Sequence, residues 1–281
     1  MSDEKAARLA AIRAANASRR AATAPSLSDA APTASETPTA AHKNASAPAG
    51  SHPGDEAFED MPPAMALQTL IGMLLATALG AGMAVFALPA WLPGLSQSLL
   101  GAEPKAYWYL SRSSAFVAYI LLWLSMVFGL LMTNKLARVW PGGPAAFDLH
   151  QHTSLLGLAF ALFHALILLG DRYIQATLFQ VLVPFQYSGY EPLWVGLGQA
   201  AFYGLAIVGL SFYVKDRIGR RAWRLIHFLS FIVFVLALIH GIWSGSDSAS
   251  DLARAIYWGS GGSVLFLTVY RVLVARVKIE R

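Results

Sequence analysis

Beyond residue 62 the chain alternates between long apolar runs and short polar or charged segments. The runs lie at about Met65–Trp91, Trp108–Met132, Leu149–Gly170, Leu193–Val214, Trp223–Trp243 and Ala253–Val274. Each approaches or exceeds the roughly 20 residues that a helix needs to cross a hydrocarbon layer. Pro, Gly or charged residues bound each run, and none shows the two-residue alternation of a barrel strand. Backbone groups in lipid must be satisfied within the segment, so the pattern predicts helices. The expected fold is an all-α integral membrane protein, a bundle of six transmembrane helices over 63–281.

Residues 1–62 read differently. This stretch is rich in Ala, Ser, Thr and Pro and has no early apolar segment of the secretory type. Glu4 to Arg20 has the alanines of a nascent helix but lacks an apolar face. The remainder cannot bury enough surface to order itself. The expectation is a disordered cytoplasmic tail.

Composition narrows the class. Of the 281 residues 56% are hydrophobic and 13% charged, about half the charged fraction of a soluble domain. The net charge of +5 would fit a nucleic-acid binder, but the basic residues stand at the ends of the runs. Lys135 and Arg138 follow the second run; Lys215, Arg217, Arg220 and Arg221 follow the fourth; Arg276, Lys278 and Arg281 follow the sixth. The alternate loops hold mainly Lys105, Arg172 and Arg254. Positive charge retained in the cytoplasm then places both termini inside, at the plasma membrane. The partner is the lipid bilayer and not nucleic acid. Trp91, Tyr107, Trp108, Tyr173, Tyr190, Trp194, Trp243 and Trp258 would form an outer aromatic belt. The apolar loop Leu178–Phe185 would lie beside it as an interfacial lid.

The chain has no cysteine, which excludes iron–sulfur clusters, covalently attached heme and thiol chemistry. A redox centre would have to rest on histidine or on an organic cofactor. Seven histidines occur. His42 and His52 fall in the tail as solvated bystanders, while His150, His152, His164, His227 and His240 fall in or at the third and fifth runs. A lone intramembrane histidine is most simply an interhelical hydrogen-bonding group, but recurring pairs on two helices point to function.

His150 and His164 are 14 residues apart, a rise of about 21 Å with only about 40° of rotation. His227 and His240 are 13 apart, a rise of about 20 Å but with roughly 140° of rotation, which a bend, a π-bulge or different approach angles must absorb. The two helices run the same way, so His150 is level with His227 and His164 with His240. Each level offers two imidazoles to one iron. Neutral imidazole suits heme iron, and two axial histidines favour electron transfer over activation of a small molecule. His152 lies about 120° off the face of His164 and reads as an outer supporting group or a reserve ligand.

These stretches resemble a known family. Leu149–His164, opening Leu-His-Gln-His-Thr-Ser, and Trp223–Gly241, ending His-Gly, are similar to the ferric reductase-like transmembrane domain. That domain is shared by ferric reductases, NADPH oxidases and the heme subunit of a bacterial methionine sulfoxide repair system. The resemblance covers roughly 170 residues. It implies two b-type hemes on His150, His164, His227 and His240. Arg112 matches an arginine that the family carries beside the outer heme, where it would pair with heme propionates or attract an anionic acceptor; the alternative is snorkelling to the interface. Arg224, one turn before His227, would serve the inner-heme propionates or act as a topology charge.

The family's FAD and NAD(P)H module has no counterpart in this sequence, and no dinucleotide fingerprint follows a strand-like segment. The glycines of Gly259-Ser-Gly-Gly262 would serve close helix packing instead. The expected function is a di-heme electron carrier and oxidoreductase component. It would be fed by a separate flavoprotein or quinol and deliver electrons outward to ferric iron, oxygen or a periplasmic enzyme. The alternatives are a proton or ion pathway through the histidines, and a heme-free membrane anchor or assembly subunit.

Overall fold

Every apolar run folds as a helix in the computed structural model, which describes residues 62–91, 93, 106–171 and 174–279. The six long helices are Leu67–Trp91, Ala106–Thr133, Gly143–Gly170, Pro192–Ile218, Arg220–Ser244 and Asp251–Arg276. They are spans one to six. No strand occurs among the described residues, and the chain is a multi-pass membrane protein. The tail, with its nascent helix and with His42 and His52, lies outside the described residues, as do Lys105, Arg172 and Tyr173.

Span three begins at Gly143, six residues before the apolar run. Gly142, at φ +103°, releases the chain from the preceding turn, and Pro144 pre-sets the first helical turn. Spans four and five are parted by Gly219 at φ +83°, a conformation that other residues rarely adopt. Span one contains a π-turn, Met83–Ala87. The carbonyl of Ala84 within it accepts from the Tyr107 hydroxyl at 2.8 Å. Tyr107 is buried, one residue into span two. Its polar tip has found a partner inside the bundle.

Spans two and three pack along their length, as do spans four and five, while span one leans on three and span six on two. Tyr119, Leu122, Met126 and Leu130 of span two recur at helical spacing and meet Val233 and Phe234 of span five and Val264 and Leu267 of span six. Lipid is as apolar as these side chains, so close packing and interhelical hydrogen bonds hold such helices together. Spans two and six are joined by Tyr119 Oη–Ser260 Oγ at 2.6 Å, Trp123 Nε1–Ser263 Oγ at 2.8 Å and Asn134 Nδ2–Leu267 O at 3.1 Å. In the small-residue stretch, Ser260 and Gly261 make the packing: Gly261 approaches Leu238, whereas Gly259 and Gly262 face open space. Outward positions such as Leu75, Leu79, Phe228, Ile232, Leu265 and Phe266 are large, apolar and exposed, as a lipid-facing surface requires.

The loop read as a lid contains a short helix, Leu178–Leu182, opened by a reciprocal cap between Thr177 and Gln180. Gln199 of span four binds it from below. Its Nε2 donates to the carbonyls of Gln180 and Val181 at 2.7 and 2.8 Å, and its Oε1 accepts from Phe185 N at 3.1 Å.

Candidate functional site: two histidine pairs

The structure brings four histidines together in two pairs. The rings of His150 and His227 are 5.8 Å apart between centroids, at 69° to one another. Those of His164 and His240 are 6.2 Å apart at 67°. The levels follow from the register of antiparallel spans two and three, in which Ser125 meets His150 and Ser111 meets His164. Span five is uninterrupted α-helix from Arg220 to Ser244, so no bulge absorbs the rotation between His227 and His240. Side-chain direction absorbs it. His240 leans toward span four, where Nδ1 meets the Trp194 carbonyl at 2.8 Å, whereas His227 lies against Trp223 of its own helix, 5.3 Å between centroids.

Hydrogen bonding fixes which nitrogen each ring offers. Nδ1 of His150 lies 2.8 Å from Ser125 O, and Nδ1 of His164 lies 2.9 Å from Ser111 O. A carbonyl can only accept, so Nδ1 carries the proton and Nε2 of the neutral ring keeps its lone pair. His240 obeys the same logic through Trp194 O. Each of these three imidazoles is thereby set as an Nε2 ligand, the arrangement that metal-ligating histidines ordinarily show.

The spacing within each pair suits one metal atom between two rings. A metal–imidazole bond of about 2 Å on each side, plus two ring radii of about 1.2 Å, would place the centroids about 6.4 Å apart in a linear arrangement, a few tenths of an ångström beyond the separations found here. Among the described residues no group of three or more His, Cys, Asp or Glu side chains gathers. Two protein ligands per level would thus leave the remaining coordination positions to a cofactor that brings its own, as a porphyrin does.

Around the His164–His240 pair is a cavity of about 260 Å³ lined by Phe116, Tyr119, Gly157, Leu205 and Tyr257. It far exceeds the roughly 10–15 Å³ that one water needs. Ser244, at its wall, has a buried Oγ with no partner among the described residues, and beside His227 the buried Nε1 of Trp223 is likewise without one. Buried polar groups are ordinarily satisfied, but Asn134 Oδ1 and Gln151 Nε2, away from this cavity, are likewise without a partner among the described residues, so these atoms do not by themselves mark a ligand. The neutral Nε2 donors and the pair spacings are what a metal centre held by two imidazoles needs.

The other expected site residues fall as follows. Arg112 lines the cavity and forms an ion pair with Asp247, an acidic residue just past span five. Its guanidinium also lies over the Tyr109 ring, 5.7 Å from the centroid. Arg224 is exposed on span five, one turn before His227. His152 is exposed and turns Nδ1 back to Asp148 O on its own helix at 2.8 Å; it belongs to neither pair. Of the expected belt, Trp194 stacks on Trp243 at 5.1 Å and Trp108 meets Tyr190 edge-on at 6.4 Å.

Sequence reasoning missed Ser111, Ser125, Gly198 and Asp247, and named Trp194 for the aromatic belt without its bond to His240. The serines repeat at the 14-residue spacing of His150 and His164, a signal that was present. Gly198 carries none, because its role appears only once span four lies against His240. Comparisons with protein-family models, with curated proteins and with solved structures found no match, so the functional reading rests on the residues and their geometry.

Proposed function

We propose that the chain is a di-heme b-type electron carrier of the ferric reductase-like kind. Its termini would lie in the cytoplasm, and it would take electrons from a separate flavoprotein or from quinol. It would pass them to an acceptor at the outer face, such as ferric iron, oxygen or a periplasmic enzyme. His150 with His227 would hold the inner heme and His164 with His240 the outer one. When bound, each heme supplies a centre that gains and loses one electron within a layer that charged carriers cross only at high cost.

The observation that carries this reading is the repetition of one arrangement at two levels. A proton pathway would need imidazoles free to exchange protons at both nitrogens, whereas three of these four have Nδ1 tied to a backbone carbonyl. What the residues do is orient: Ser111 O, Ser125 O and Trp194 O fix the rings, beside a largely apolar cavity. The basic residues between spans two and three, Lys135 and Arg138, and those at the junction of spans four and five, Lys215, Arg217, Arg220, Arg221 and Arg224, would offer an acidic electron donor a docking surface on the cytoplasmic side.

The test is the absorption spectrum and heme content of the full chain purified from heme-replete cells. The expected result is a Soret band, a reduced α-band and two hemes per chain. A preparation without either band would overturn the reading.

A further inference from the structure

The contact between each third-span histidine and span two involves both oxygens of one serine. Nδ1 of His164 lies 2.9 Å from the Ser111 carbonyl and 2.8 Å from its hydroxyl. Nδ1 of His150 lies 2.8 Å from the Ser125 carbonyl and 3.1 Å from its hydroxyl. Since the carbonyl fixes Nδ1 as the donor, both hydroxyls accept from that same N–H. Each hydroxyl proton then remains to donate, and the backbone carbonyl of the same histidine lies at 3.1 Å from Ser111 Oγ and 3.4 Å from Ser125 Oγ. At the second level Ser154 joins in, 2.6 Å from Ser125 Oγ and donating to His150 O at 2.7 Å.

This is not the ordinary use of a hydroxyl within a membrane helix. Such a group usually returns to a carbonyl one turn back on its own helix, as Ser114 does to Leu110 O at 2.7 Å and Thr133 to Gly129 O at 3.1 Å. Ser111 and Ser125 reach across to the neighbouring helix, and both reach a histidine. The fifth-span histidines have no equivalent: His240 meets one carbonyl, and His227 rests on Trp223 with no hydrogen bond to its ring among the described residues.

We propose that Ser111 and Ser125 are positioning residues that set the reduction potentials of the two hemes, each through its third-span histidine; the inference rests on the di-heme reading above. A second acceptor draws the Nδ1 proton further from the ring and makes Nε2 more basic. A more basic axial ligand favours ferric over ferrous iron, so each hydroxyl holds its heme at a lower potential. The third span therefore carries the tuned ligand at both levels, and the fifth span the less perturbed one.

The experiment is a potentiometric titration, followed at the α-band, of the full heme-loaded chain and its S111A, S125A, S111T and S125T variants. Alanine removes the hydroxyl and leaves the backbone carbonyl in place. S111A should raise the potential of one heme and S125A that of the other, each by roughly a tenfold change in ferric-to-ferrous preference, about 59 mV for a one-electron couple. Threonine, which restores the hydroxyl, should return each potential toward wild type. If an alanine variant loses its heme, the corresponding cysteine variant, with similar volume and a weaker acceptor, should show a smaller upward shift. Unchanged potentials in variants that retain both hemes, or a shift that threonine leaves in place, would overturn the role of the serines alone. A wild-type chain that takes up no heme would overturn the di-heme reading and this inference with it.

Discussion

The imidazole of His240 lies against Gly198 so closely that a methyl group at 198 would sit 2.5 Å from Nδ1. The ring has nowhere simple to go, because Nδ1 is also bound to Trp194 O, one turn earlier on the same helix. Gly198→Ala should therefore displace His240 and, on the di-heme proposal, lower the content from two hemes to one by loss of the one at the His164–His240 level. Gly129 offers a graded comparison: a Cβ there would lie 3.3 Å from the edge of His150, a distance that small shifts can relieve. Gly129→Ala should retain both hemes. Pigment extraction and quantification per chain checks both.

The two pairs also predict which single substitutions are equivalent. On the di-heme proposal, His164→Ala and His240→Ala should each remove the same heme, and His150→Ala and His227→Ala the other, with spectra agreeing within each pair. His152→Ala should leave heme content unchanged, since its ring is exposed and bonded to its own helix. Redox difference spectra of the five variants test the assignment, and loss of heme in His152→Ala would break it.

Much of this was legible in the sequence, for reasons that differ by residue. The spans were readable because hydrocarbon imposes both length and helicity. The levels were readable because His150 and His164 share a face, and a parallel pair of spans sets the rest. The start of span three was not, since Gly143 to Asp148 is helical without being continuously apolar. The partner of Tyr107 was not readable either, because the π-turn carrying Ala84 leaves no plain mark in composition. Arg112 was visible but its partner was not: Asp247 lies 135 residues further along the chain, and only the folded bundle puts the two together.

That ion pair makes a signed prediction. Arg112 and Asp247 both line the cavity beside His164 and His240, with 29% and 35% of their side chains exposed. Removing the carboxylate leaves a positive charge uncompensated near that level, which favours the reduced, less positive iron. Asp247→Asn should raise the potential of that heme, Arg112→Gln should lower it, and the double variant should return close to wild type. Both charges are partly exposed and so screened by solvent and salt, and each shift should shrink as ionic strength rises. The two single variants shifting in the same direction would refute the electrostatic account.

The lid offers a prediction that does not depend on heme. Gln199 makes three hydrogen bonds to the backbone around Leu178–Leu182, and Tyr203 Oη donates to Leu182 O. Gln199→Leu would remove the amide, leaving the carbonyls of Gln180 and Val181 and the N–H of Phe185 to find other partners. A net loss of about 1 kcal/mol for each bond amounts to roughly 3 kcal/mol, close to a hundredfold in a local opening equilibrium. The Phe185 amide should then lose about that much protection from hydrogen exchange, measured by mass spectrometry in a lipid nanodisc. Amides in the middle of spans two and three should be unaffected, because their helix bonds do not involve Gln199. An unchanged exchange rate at Phe185 would mean that the apolar side chains of the loop hold it against the bundle without help from span four.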